Sequence, residues 1–103
     1  METLCAVLPE FAADLVRELR REGFDQAALT ATTDAIQRVT FDDVANAGYI
    51  YMQPHGTAAG ESLALETKPF SIAQLDSAGR LVGIEFLSPP RDFADKLRGH
   101  AVV

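Results

Sequence analysis

The chain has 103 residues, 48% hydrophobic and 23% charged, which is the balance of one globular domain and not of a disordered chain. Its formal charge is −6, and its nine Lys and Arg are interleaved with acids (Arg17/Arg20/Arg21, Arg38, Lys68, Arg80/Arg91/Lys96/Arg98), so a duplex nucleic-acid binder or an anionic-membrane binder is not expected. No apolar run approaches the ~20 residues that cross a bilayer, and the lone Cys5 excludes an internal disulfide and a zinc-type ligand cluster.

Leu4, Leu8, Phe11, Leu15 and Leu19 recur at intervals of three and four, the stripe of an amphipathic helix. Pro9 suits a first-turn position, so the regular helix is expected from Leu8 or Pro9, with Gly23 as its stop. Asp14, Arg17, Glu18, Arg21 and Glu22 fall mostly on the opposite face, where Glu18 is placed to pair with Arg21. A second, weaker helix is expected from Asp25, as N-cap, to about Thr33. From Ile36 the period changes to two. Alternation marks strands at Gln37–Phe41, Gly48–Met52, Ser62–Glu66, Phe70–Leu75 and Leu81–Leu87. Asp42 to Asn46 reads as a turn, and Asp76-Ser77-Ala78-Gly79 as a tight hairpin with Gly in the left-handed position. Pro89-Pro90 ends the last strand, and Arg91–Arg98 reads as a short helix packed by Phe93 and Leu97, with His100 in a frayed tail.

The expected fold is α+β and a single domain: an N-terminal helical hairpin (1–35) packed on a 4–5 stranded antiparallel meander sheet (36–88), then a short C-terminal helix and tail (89–103). Two short helices cover one face of such a sheet. Alternation puts Tyr49, Tyr51, Leu81 and Leu87 on the other face, which makes them interface candidates, most simply for a second copy of the chain.

Few residues offer chemistry. His55, in the loop Pro54-His55-Gly56, is either a solvated loop histidine or a lone base or ligand. Glu85 is a rim carboxylate, paired with Arg80 or Lys68, or, if buried, an acid with a raised pKa. Tyr51 and Tyr49 are packing or interface residues, or a stacking platform for a ligand. Asp42 and Asp43 are adjacent and point to opposite sides in extended backbone, so they make no carboxylate pair. The stretch Gly56 to Gly60 lacks the Lys-Ser/Thr of a phosphate loop. Cys5 reads as a small hydrophobe. No catalytic residue, metal site or cofactor is assigned.

The second half resembles a known family. Val39-Thr40-Phe41-Asp42, Gly48-Tyr49-Ile50-Tyr51-Met52, Glu66-Thr67 and, above all, Ile72 to Glu85 with its Asp76-Ser77-Ala78-Gly79-Arg80-Leu81-Val82-Gly83-Ile84-Glu85 run are similar to DUF2283, small domains of unknown function. The likeness covers roughly Val39 to Ser88. Phe41 stands where that family tends to have Tyr, and Ala47-Gly48 departs as well. The helical third is similar to longer uncharacterised bacterial proteins that often carry cysteines before the tyrosine strand; Asp42 to Asn46 has none, so no metal role carries over. The resemblance implies a bacterial origin, a meander sheet, and an antitoxin-like or partner-binding role. It supplies no catalytic residue.

Two functions follow as expectations. One is a cytoplasmic, non-enzymatic interaction module, homodimeric or a small adaptor. The other is a small-molecule binder or enzyme with a pocket between helices and sheet, held by His55, Glu85 and Tyr51.

Overall fold

The computed structural model describes residues 2–54 and 57–101. The element order is α1 (Leu4–Val7), α2 (Pro9–Arg21), α3 (Asp25–Thr33), β1 (Arg38–Asp42), β2 (Ala47–Tyr51), β3 (Glu61–Ala64), β4 (Ser71–Leu75), β5 (Leu81–Leu87) and α4 (Arg91–His100). The fold class is α+β as expected: helices on one face of a five-stranded, wholly antiparallel sheet. Among the described residues no helix is long and apolar enough to cross a membrane.

The apolar stripe forms the core. Leu4, Leu8, Phe11, Leu15 and Leu19 are all fully or almost fully buried, and each contributes ~1.5–3 kcal/mol by leaving water. Helix α2 starts at Pro9, and its chain leaves through Gly23, whose φ of +89° is the left-handed region glycine enters freely. Helix α3 spans the expected residues, but Asp25 is its first residue; Phe24 holds the cap position and no side chain caps it. At one end of the core Phe86 of β5 and Phe93 of α4 pack at 5.1 Å between centroids. Phe11 sits 5.3 Å from Phe86, and Phe70 sits 5.0 Å from Phe93, both edge-on. These four rings tie α2, the approach to β4, β5 and α4 together.

The strands run β1-β2-β5-β4-β3 across the sheet, which departs from a meander in strict chain order. The hairpin β1–β2 and the meander β3–β4–β5 are two pieces, joined where β5 lies against β2. The turn between β4 and β5 forms as its residues dictate. Asp76 Oδ1 accepts from the Ala78 and Arg80 N–H groups at 2.9 Å each, and Gly79 has φ +77°. The C-terminal helix reaches His100, so that residue is helical and not a frayed end; its Nδ1 lies 3.4 Å from a Glu2 carboxylate oxygen.

One irregularity decides which face a leucine takes. Gln74 faces Gly83 and Leu75 faces Leu81, so Val82 is the extra residue of a β-bulge. Unbroken alternation from Ile84 would send Leu81 outward. The bulge reverses its phase, and Leu81 is 0% exposed within the core. The carbonyl of Val82 continues the β2–β5 register by accepting from Met52 N at 2.9 Å, and it also accepts from Gln53 N at 3.2 Å.

Candidate functional site

The face of the sheet turned away from the helices is laid out by the register. One row runs Arg38, Tyr51, Gly83, Gln74, Ser62 across the five strands. The next runs Thr40, Tyr49, Glu85, Ile72, Ala64, and Ala47 and Leu87 lie beyond it. The opposite rows, Val39-Ile50-Ile84-Ala73-Leu63 and Phe41-Gly48-Phe86-Ser71, face the helices. The outer face is thus amphipathic, with half-buried tyrosines at its centre.

Gly83 shapes that centre. A Cβ there would run into the Tyr49 ring and come within 2.6 Å of the Ile50 carbonyl oxygen. Its absence lets Tyr49 lie diagonally across the strand, the way aromatic rings cover glycines in sheets. Tyr49 and Tyr51 then stack at 4.4 Å between centroids with their planes tilted by 48°. Burial pushes the Tyr49 hydroxyl above its ordinary pKa, and Tyr51 and Glu85 beside it act in the same direction. A shallow depression of about 380 Å³ adjoins the pair, bounded by Thr40, Asp42, Ala47, Tyr49, Tyr51 and Glu85.

The expected interface residues therefore divide. Tyr49, Tyr51 and Leu87 lie on the outer face, and Leu87 is 48% exposed. Leu81 does not belong to it, because the bulge turns it into the core. The expected ligand set divides too. Glu85 and Tyr51 share the outer face and its depression, so they do not line a pocket between helices and sheet. His55 lies outside the described residues. Glu85 remains partly exposed, which removes the burial its acid role required. Its anticipated partners are engaged elsewhere: Lys68 Nζ meets Asp14 at 2.9 Å, and Arg80 Nε meets Asp76 at 3.0 Å. Cys5 is exposed and not a packed hydrophobe. Among the described residues no three His, Cys, Asp or Glu side chains converge as metal ligands would.

Sequence reasoning missed a polar clamp on the other side of the molecule. Glu18 is only 4% exposed. Its Oε1 accepts from the Glu66 N–H at 2.6 Å and its Oε2 from the Thr67 hydroxyl at 2.9 Å, with Arg21 at 3.5 Å as expected. One turn earlier Asp14 takes Lys68. Two carboxylates of α2 thus hold the loop between β3 and β4. The i, i+4 spacing of Asp14 and Glu18 was visible, but their partners lie about fifty residues away and carry no local signal.

No family model, curated protein or solved structure matches the chain.

Proposed function

We propose that the chain is a non-enzymatic protein-interaction module of DUF2283 type that works in the cytoplasm as a homodimer, with the sheet supplying its contact surfaces. The observation that supports an interaction role is the coverage of the sheet. Among the described residues the four helices lie on one face, so the other presents stacked tyrosines and a half-exposed Leu87. Tyrosine is enriched where proteins meet, since its ring is apolar and its hydroxyl stays satisfied in water or at a polar rim. An adaptor or antitoxin-like role, in which this face takes a protein partner, is the natural use of such a dimer. Light scattering on the purified chain at micromolar concentrations tests the reading. A molar mass near twice 11.1 kDa supports it, and 11.1 kDa throughout counts against it.

One observation favours a second reading, a small-molecule binder. The depression beside Tyr49, Tyr51 and Glu85 combines stacking surface with a carboxylate. A thermal-shift screen discriminates, since a ligand at a hundred times its dissociation constant adds ~2.7 kcal/mol of stability. No shift across a broad metabolite panel removes it.

A further inference from the structure

Strand β1 is an edge of the sheet, paired with β2 on one side and, among the described residues, with no strand on the other. Among the described residues, no backbone group of residues 38–42 makes a hydrogen bond outside the β1–β2 ladder. Such an edge is a template for another strand unless it is short, charged against pairing or covered. The other edge, β3, is four residues long, and pairing it with its own copy sets Glu61 against Ala64. Strand β1 differs. It reads Arg38-Val39-Thr40-Phe41-Asp42, an order complementary to itself reversed.

We propose that two copies of the chain join through β1, antiparallel about a two-fold axis at Thr40, so that their two sheets become one. This rests on the homodimer reading above and says which surface serves it. In that register Arg38 faces the partner subunit's Asp42, Val39 faces the partner subunit's Phe41, and Thr40 faces the partner subunit's Thr40. Opposite charges, an aromatic against a β-branched residue, and paired threonines are the cross-strand pairs that stabilise antiparallel sheets. The charges also select the register. A slip of two residues sets Arg38 against Thr40 or Val44 and loses both ion pairs.

The groups concerned are available. Arg38 forms no salt bridge among the described residues. Asp42 uses Oδ1 to accept from Val44 N at 3.0 Å and Ala45 N at 3.3 Å, and among the described residues its Oδ2 makes no hydrogen bond or ion pair. Helix α4 packs on the inner face of β1, with its Leu97 against Gly48 of β2 and its Arg98 guanidinium 4.8 Å above the Phe41 ring. The Glu2–Thr3 segment meets the chain just before the strand, where Ile36 N donates to the Glu2 carbonyl at 2.7 Å, and leaves residues 38–42 themselves without a strand partner beyond β2 among the described residues. The axis stands perpendicular to the sheet, so both tyrosine faces come to lie on one side. They form a continuous surface, free for a third protein.

The test is a charge-swap series read by light scattering. Because each pair occurs twice about the axis, Arg38→Asp or Asp42→Arg alone replaces two attractions by two repulsions. Each is expected to raise the dimer dissociation constant by about tenfold or more, and the double variant to recover most of that loss. Asp42 also holds its turn, so a second arm avoids it: Thr40→Cys in a Cys5→Ser background is expected to give a disulfide-linked dimer under mild oxidation. A wild-type dimer indifferent to both single reversals, with no Thr40→Cys cross-link, overturns the strand pairing and leaves the homodimer reading standing. A wild-type monomer overturns both.

Discussion

The clamp of Glu18 on the β3–β4 loop gives a prediction whose size comes directly from its geometry. Glu18→Ala removes two hydrogen bonds to an ionised acceptor, at 2.6 and 2.9 Å. Bonds to charged groups are worth ~1.5–3 kcal/mol each. Glu66 and Thr67 are exposed, so water recovers part of the loss at both donors. A net destabilisation of about 2–3 kcal/mol follows, or on the order of 10–20 °C in Tm for a chain of this size. Glu18→Gln keeps one oxygen for the Glu66 N–H and turns its amide toward the Thr67 hydroxyl. Only the charge-assisted part is lost there, about 1–2 kcal/mol. Glu22→Ala is the control: the residue at the C-terminal cap of the same helix, an exposed carboxylate, and only a 3.9 Å contact with Arg21, so its effect is within about 0.5 kcal/mol. Urea unfolding followed by circular dichroism measures all three, and a cycle with Thr67→Val isolates the hydroxyl. A Glu18→Ala variant as stable as Glu22→Ala refutes the clamp.

The remaining predictions bear on the sheet and on acid stability. Leu81→Ala empties a core position and is expected to cost about 2–5 kcal/mol, whereas Leu87→Ala leaves the stability of the single chain within about 0.5 kcal/mol; equal losses in thermal unfolding contradict the bulge. Gly83→Ala forces the Tyr49 ring aside and crowds the Ile50 carbonyl, for about 1–3 kcal/mol of overpacking, and a spectrophotometric titration finds the Tyr49 phenol nearer its ordinary pKa. Unchanged stability and an unchanged titration refute the close approach. The hydrogen bond from the Lys68 ammonium holds the Asp14 carboxyl below its ordinary 3.8 against the opposing effect of burial, with the charges of Lys68 and Arg17 assisting. A depressed folded-state pKa stabilises the fold above the unfolded value and loses that contribution as pH falls through the folded one. The stability gap between the native chain and Asp14→Asn therefore closes below 3.8 in acid unfolding; a gap constant from neutral to strongly acid pH contradicts the ion pair.

What the sequence made legible was whatever depends on neighbours in the chain. The five-residue apolar stripe that runs from α1 into α2, the left-handed Gly23, the Asp76 to Gly79 turn and the ends of β5 all follow from spacing and turn chemistry, and all are found in place. The sides of Ile50, Tyr49 and Tyr51 follow from alternation. What escaped depends on distant pairings. Strand order is set by β5 docking on β2, which no local pattern announces. The Val82 bulge breaks the two-residue period that placed Leu81 outside, and a single extra residue leaves no compositional mark. Glu18 looks like one more solvated helix carboxylate until the loop at Glu66 and Thr67 closes over it. On the outer face Tyr49 and Tyr51 lie where alternation puts them and Leu81 does not, and Tyr49 folds down onto the sheet over Gly83, which no residue count shows.

Amide hydrogen exchange followed across a wide dilution series tests the account most directly, because it reads whether the chain associates and through which strand. The account predicts protection that rises with concentration at the Val39 and Phe41 amides of β1, which point to the free edge, and stays constant at β3. Exchange that is independent of concentration at every amide of the sheet contradicts it.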